Sequence, residues 1–102
     1  MPLTAQMLYI LLIMEADNFG FLNNAKSVME TNHASENDLD ILVKKEFLMK
    51  FPSGVYCIKH WFMMNRQDKR LQPTYGEYEL VTIKNNQYVF RDDRHFPDEG
   101  DW

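Results

Sequence analysis

The sequence predicts an α+β fold in which three helices are combined with a small antiparallel sheet. Helical spacing of apolar residues is confined to the first half of the chain, up to Phe47. After that point, short runs of apolar, β-branched and aromatic residues alternate with turn residues, as in β-hairpins. The 102 residues, 45% hydrophobic and 14% aromatic, are enough for one packed domain and exclude a disordered chain.

The first predicted element is a helix that begins at Thr4, a candidate N-cap residue with Gln6 close to the capping-box position. The segment MLYILLIM follows and is apolar on nearly every side, which is typical of a central, mostly buried helix. A membrane span needs about 20 apolar residues. This run of eight residues is too short to span a membrane, and we expect no membrane partner. No positively charged segment precedes the run and no small-residue cleavage site follows it, so we expect no secretory signal.

The segment DNFG interrupts the helical pattern, because asparagine and glycine favour turns. The following GFL is too short for a helix, and residues 20–23 are therefore predicted to form a short strand. Asn23 or Asn24 then caps a second helix that extends through Val28 and Met29.

A third helix begins at the capping-box analogue Ser35-x-x-Asp38, and Leu39, Leu42 and Val43 follow at helical spacing. Only the polar segment TNHA separates it from the second helix. Two short helices joined by so tight a turn predict a helix-turn-helix.

The segments FLMKF and VYCIKHW, separated by Pro52-Ser53-Gly54, predict a β-hairpin over residues 47–60. This order of elements is that of a winged helix-turn-helix, in which residues 20–23 pair with the hairpin to form a three-stranded sheet. A second, C-terminal hairpin is predicted for ELVTI and QYVF, with its turn at Asn85-Asn86. We assign residues 1–90 to one domain and 91–102 to an acidic, mobile tail.

Charge and cysteine content limit the function classes. The net charge is −4, which disfavours a protein that binds phosphates through its overall charge. Residues 59–72 nevertheless carry four basic side chains against Asp68 alone. The single cysteine, Cys57, allows no internal disulfide and is typical of the reducing cytoplasm.

A series of short motifs lies in order along most of the chain: Leu8-Tyr9, the acidic turn before Gly20-Phe21, Asn24, Ile58-x-His60-Trp61, Asn65, and Lys69-Arg70 before Pro73-Thr74. In this order they resemble the N-terminal domain of phage replisome organiser proteins, relatives of the DnaD-like primosome proteins of Gram-positive bacteria and their prophages. The resemblance implies a winged helix that binds a replication origin or oligomerises, in the cytoplasm of a bacterial host.

The first functional hypothesis is therefore a DNA-binding domain that contacts the backbone of double-stranded DNA in replication initiation. The candidate contact residues are polar or basic side chains of the third helix, the wing and the following segment: Asn37, Lys44, Lys45, Lys50, Lys59, Arg66, Lys69 and Arg70. Glu36, Asp38 and Asp40 oppose this hypothesis, because they occupy the start of the helix that would enter the major groove.

The second hypothesis is a protein-interaction or oligomerisation module, which associates with itself or with replisome proteins and does not contact DNA. The acidic third helix and the negative net charge favour it. One contiguous positive face would favour DNA binding, whereas an exposed apolar patch with scattered charges would favour assembly.

We expect no enzymatic activity, bound metal or cofactor. The sequence has no glycine-rich phosphate loop and no nucleophile elbow. Cys57-x-x-His60 resembles half of a zinc site, but this spacing on a strand places the two side chains on opposite faces, and no second Cys/His pair follows. His60 and Trp61 are instead expected to have structural roles, with Trp61 packing the sheet against the first helix.

Overall fold

The computed structural model describes residues 1–68 and 70–91. Lys69 and residues 92–102, with most of the predicted acidic tail, lie outside the described residues. The helices are α1 (Leu3–Glu15), α2 (Ala25–Thr31), α3 (Glu36–Lys44) and α4 (Trp61–Met64), with a 3-10 helix at Gly76–Leu80. The strands are β1 (Phe21–Leu22), β2 (Leu48–Lys50), β3 (Tyr56–Ile58), β4 (Val81–Lys84) and β5 (Gln87–Phe90).

The sheet confirms the predicted winged-helix-like arrangement. β1, β3 and β2 form an antiparallel sheet in that order, with Phe21 opposite Cys57 and Met49 also opposite Cys57. The strand between the first two helices is thus an edge of the sheet, and it adds a third strand to a hairpin that alone would be only marginally stable in water. All three β3 residues are buried between the flanking strands and the helices.

The start of α1 differs from the prediction, while the start of α3 confirms it. Helix α1 begins at Leu3 with Pro2 at the N-cap position, so Thr4 is not the cap. The Thr4 hydroxyl donates instead to Asp38 Oδ1 at 2.8 Å and joins α1 to α3. In α3 both hydrogen bonds of the Ser35/Asp38 capping box are present. Asn24 occupies the N-cap position of α2, but no described side chain caps that helix.

The turn before β1 requires a glycine. The Asp17 carboxylate accepts hydrogen bonds from the backbone N–H groups of Phe19 and Phe21, and this turn gives Gly20 a φ of +82°. A Cβ at Gly20 would lie 2.7 Å from Cγ of Trp61. The Trp61 indole N–H donates to the Asn18 carbonyl at 3.0 Å, so the ring is held over the turn.

The predicted third strand is longer than the observed one. The sequence suggested strand structure to residue 60, but β3 ends at Ile58 and Trp61 begins the short helix α4. Trp61 is buried and covers the turn that follows α1, while its expected packing of the sheet against the first helix stays a prediction. Covering this turn needs a change of chain direction after Ile58, which a continuing strand would not allow.

The C-terminal hairpin forms as predicted and packs onto the core. Asn85 and Asn86 both have positive φ, 54° and 61°, which is the backbone of the two-residue turn expected there. Tyr88 in β5 is fully buried, and its hydroxyl donates to the Phe19 carbonyl at 2.6 Å. Its ring meets Phe21 edge to face at 5.4 Å between centroids.

Helix α1 is less buried than its composition suggested. Ala5, Leu8 and Leu12 face the core, where α1 packs against α2 and α3. The opposite face is exposed, so the expectation of a mostly buried helix is wrong. A helix that is apolar on every side cannot reveal from its own sequence which face is covered. Within the described residues, every helix is too short or too polar to cross a membrane.

Candidate nucleic-acid interface

The exposed face of α3 carries fewer carboxylates than the sequence suggested. Asp38 turns inward, where its carboxylate accepts hydrogen bonds from Thr4 and from the backbone and side chain of Ser35. The hydrogen bond from the Ser35 backbone, followed by that from Thr4, lowers the pKa of the Asp38 carboxyl below its ordinary value. Glu36 and Asp40 remain exposed and still make this face acidic.

Asn37, Lys44 and Lys45 are exposed at the two ends of α3, as a contact role requires. Lys59 lies near the end of α3, since its backbone N–H donates to the Phe47 carbonyl. Only 16% of the Lys59 side chain is exposed, and its ammonium lies 3.9 Å from the Glu46 carboxylate. Lys59 is therefore less available for a phosphate than the other lysines.

The basic segment after the wing is only partly available to a phosphate. Arg66 is exposed. The Arg70 guanidinium donates to both carboxylate oxygens of Asp68 at 3.1 Å. This contact lowers the pKa of Asp68 and raises that of Arg70, so each charge is compensated by its neighbour. Lys69 separates these two residues in the sequence and is outside the described residues.

An open cleft of about 440 Å³ lies between the start of α2 and the tip of the wing. Two lysines line it, Lys26 from α2 and Lys50 from the end of β2. Asn23, Asn24 and Ser27 add polar side chains that can donate hydrogen bonds, whereas the Ser53 hydroxyl already donates to Glu77 Oε2 at 2.6 Å. The cleft thus combines two ammonium groups with several neutral donors, the groups that contact a nucleic-acid backbone.

Lys26 is a candidate that sequence reasoning missed. Its neighbour Lys50 is more than twenty residues away, and only the folded sheet brings the wing beside α2. The Lys26 ammonium lies 4.0 Å from Glu36, but both side chains are largely exposed, so this ion pair competes weakly with a phosphate. The sequence signal was available: Lys26 lies in the first turn of α2, the helix that precedes α3.

Four apolar side chains form an exposed line along α1. Their exposed fractions are 70% for Leu3, 56% for Met7, 58% for Ile10 and 75% for Met14. We call these four residues the α1 stripe. The stripe contains no charged residue, in contrast to the scattered charges of α3 and the wing. Contiguous exposed apolar surface of this kind is typical of a docking surface.

Cys57 and His60 do not lie on the same strand. Cys57 is buried in β3 and burial raises the pKa of its thiol, whereas His60 lies beyond the strand, at the N-cap position of α4. Cys57 and His60 are therefore not on opposite faces of one strand, as their spacing had predicted. Among residues 1–68 and 70–91, no three His, Cys, Asp or Glu side chains are placed to hold a metal ion.

No protein-family model, curated protein or solved structure matches this chain. The assignment of function therefore depends on the geometry of the cleft and of the α1 stripe, together with the sequence resemblance.

Proposed function

We propose that this chain is a DNA-binding winged-helix domain that acts in phage or prophage replication initiation, in the cytoplasm of a bacterial host. It contacts the backbone of double-stranded DNA. The observation that carries the proposal is the cleft beside the wing, in which Lys26 and Lys50 lie together. The resemblance to phage replisome organiser proteins supports the role in replication.

The charges favour contact with the DNA backbone over base reading. Glu36 and Asp40 repel phosphates from the exposed face of α3, while Lys44 and Lys45 lie at its C-terminal end. The candidates that the structure leaves most accessible are Lys26, Lys44, Lys45, Lys50 and Arg66. Phosphate contacts orient a protein on DNA without specifying sequence, so we expect weak, sequence-tolerant binding.

A fluorescence anisotropy titration of a labelled duplex at several salt concentrations tests the proposal. Neutralising about three or four phosphates predicts a log-log salt slope near −3 to −4, since each contact contributes roughly −0.9. Replacing Lys26 and Lys50 together by alanine should flatten the slope by up to about two units. Lys84→Ala removes an exposed lysine of the C-terminal hairpin that does not line the cleft, and it is the matched control.

Two further variants sharpen the test. Asp40→Lys should strengthen binding, because it removes a repulsion and adds a contact. Arg70→Ala should change the slope less than Lys50→Ala, because Asp68 already compensates the guanidinium. Absence of binding at low salt, or a slope indifferent to the Lys26/Lys50 change, would contradict DNA contact at the cleft.

A second candidate function is supported by the α1 stripe. The described surface combines an exposed apolar patch with scattered charges, which favours a protein-interaction or oligomerisation module of a replisome or primosome assembly. In that case α1 would bind protein and the cleft would not bind DNA. Chain association that depends on the stripe, together with no salt-dependent DNA binding, would favour this function over the first.

A further inference from the structure

We propose that the α1 stripe pairs with the α1 stripe of a second copy of this chain, in antiparallel orientation, to form a two-fold symmetric dimer. This inference rests on the second candidate function, because it names the partner that an assembly module would bind.

The spacing of the stripe matches a seam between two helices. Leu3, Met7, Ile10 and Met14 are separated by four, three and four residues, which is the alternation of a heptad seam. At 3.6 residues per turn they lie within an arc of about 60° and span about 16 Å along the helix. Such a line of apolar side chains fits another like it, and a two-fold interface uses the same surface on both copies.

The stripe lies on the face of α1 that points away from the core. Ala5, Leu8 and Leu12 bury the opposite face against α2 and α3. A second helix can therefore approach α1 without disturbing the packing of the domain. Exposed large apolar residues alone do not require a partner, but four in one line on one helix form a continuous patch.

The charges at the ends of α1 favour the antiparallel orientation. Glu15 is the single charged residue in the sequence of α1 and lies at its C-terminal end, where it opposes the helix dipole. The first turn has no acidic residue, and no side chain among the described residues caps it. Antiparallel pairing brings Glu15 of each copy to the N-terminal end of the other α1. Parallel pairing would place both Glu15 residues at the same end of the pair and point the two helix dipoles in the same direction.

The area of the stripe fits a reversible dimer. The four residues expose on the order of 500 Å² in each copy, so a pair that buries them completely removes at most roughly 1,000 Å² from solvent, the lower limit for a specific interface. A lipid surface is a less suitable occupant, because α1 has no lysine or arginine to attract anionic headgroups. Because the interface is small, we expect a dissociation constant in the micromolar range.

Sedimentation equilibrium of the full chain, at about 1 to 200 µM, tests the pairing. Met7→Glu should raise the dissociation constant at least about tenfold, because the change occurs twice in a two-fold interface. Met63→Glu is the matched control, since Met63 is 60% exposed but lies in α4, outside the stripe. At a concentration where the unaltered chain is monomeric, both variants should melt near its melting temperature, because each replaces an exposed side chain.

Disulfide trapping tests the orientation. Antiparallel pairing places Leu3 opposite Met14 of the other copy, so a mixture of Leu3→Cys and Met14→Cys chains should form the mixed disulfide. Leu3→Cys alone should form little, because the two Leu3 positions are then about 16 Å apart along the helices. Cys57 is buried and does not compete.

The results separate the proposals. A chain that remains monomeric throughout the concentration range overturns self-pairing, and binding of that monomer to anionic vesicles would identify lipid as the occupant. Efficient disulfide formation by Leu3→Cys alone would overturn the antiparallel orientation. The DNA titration of Met7→Glu reports on the cleft independently, because the stripe and the cleft share no residue. Failure of pairing and failure of DNA contact are therefore distinguishable.

Discussion

Replacement of Gly20 by alanine should destabilise the domain more than the same change at Gly54. Both glycines have left-handed backbone conformations, with φ of +82° and +90°. Their surroundings differ. A Cβ at Gly20 would meet three side-chain atoms of Trp61 at 2.7 to 2.8 Å, whereas a Cβ at Gly54 would have no described atom within 4 Å.

The expected magnitude follows from two contributions. A left-handed conformation costs an alanine roughly 1–2 kcal/mol, and this contribution applies to both positions. At Gly20 the indole must also move, and overpacking of this kind costs about 1–3 kcal/mol. Displacing the ring strains its hydrogen bond to the Asn18 carbonyl as well. We therefore expect about 2–5 kcal/mol for Gly20→Ala and about 1–2 kcal/mol for Gly54→Ala.

Urea unfolding followed by Trp fluorescence and by far-UV circular dichroism measures both values. A domain of this size has a total stability of about 5–15 kcal/mol, so Gly20→Ala should remain largely folded in water with a clearly lower urea midpoint. The m-value should not change. Equal losses for Gly20→Ala and Gly54→Ala would refute the reasoning, since the contact with Trp61 would then contribute nothing.

Three further predictions concern buried groups. Because folding lowers the pKa of Asp38 below 3.8, the stability it contributes is present above that pH and lost as the pH falls through the folded value. Asp38→Asn should therefore lower stability most near neutral pH, and a deficit that does not decrease as the pH is lowered below 3.8 would contradict this. Tyr88→Phe should cost about 1–2 kcal/mol in thermal or urea unfolding, because the hydrogen bond to the Phe19 carbonyl is lost; an unchanged midpoint would exclude a contribution from that bond. The Cys57 thiol, buried and with a raised pKa, should react with Ellman's reagent only as the domain unfolds; rapid reaction of the folded chain would contradict its burial.

Local signals predicted the order of elements well. The Ser35/Asp38 pair predicted the start of α3, and both hydrogen bonds of its capping box are present. Asn85-Asn86 predicted a tight turn, because asparagine tolerates the positive φ that both residues adopt. These features depend on a few neighbouring residues, so the sequence alone contains them.

Features that depend on distant residues could not be predicted in this way. The inward turn of Asp38 depends on Thr4, 34 positions earlier in the chain. The cleft depends on the approach of the wing to α2, which brings Lys50 to Lys26. The positions of α2 and α3 determine which side of α1 is exposed. Because the α1 sequence is apolar on nearly every side, its pattern does not indicate which side is covered.

The hydrogen bond between Tyr88 and Phe19 affects the order in which the chain folds as it is synthesised. It joins residues 69 positions apart, so the helix-turn-helix and the wing are made long before the aromatic ring that covers Phe21. In a growing chain Trp61 is available to cover the turn around Gly20 before the last hairpin is made, but the Phe19 carbonyl receives the Tyr88 hydroxyl only when that hairpin docks. We therefore expect the C-terminal hairpin to complete the core last, and a chain truncated before residue 88 to lack the ring that packs against Phe21.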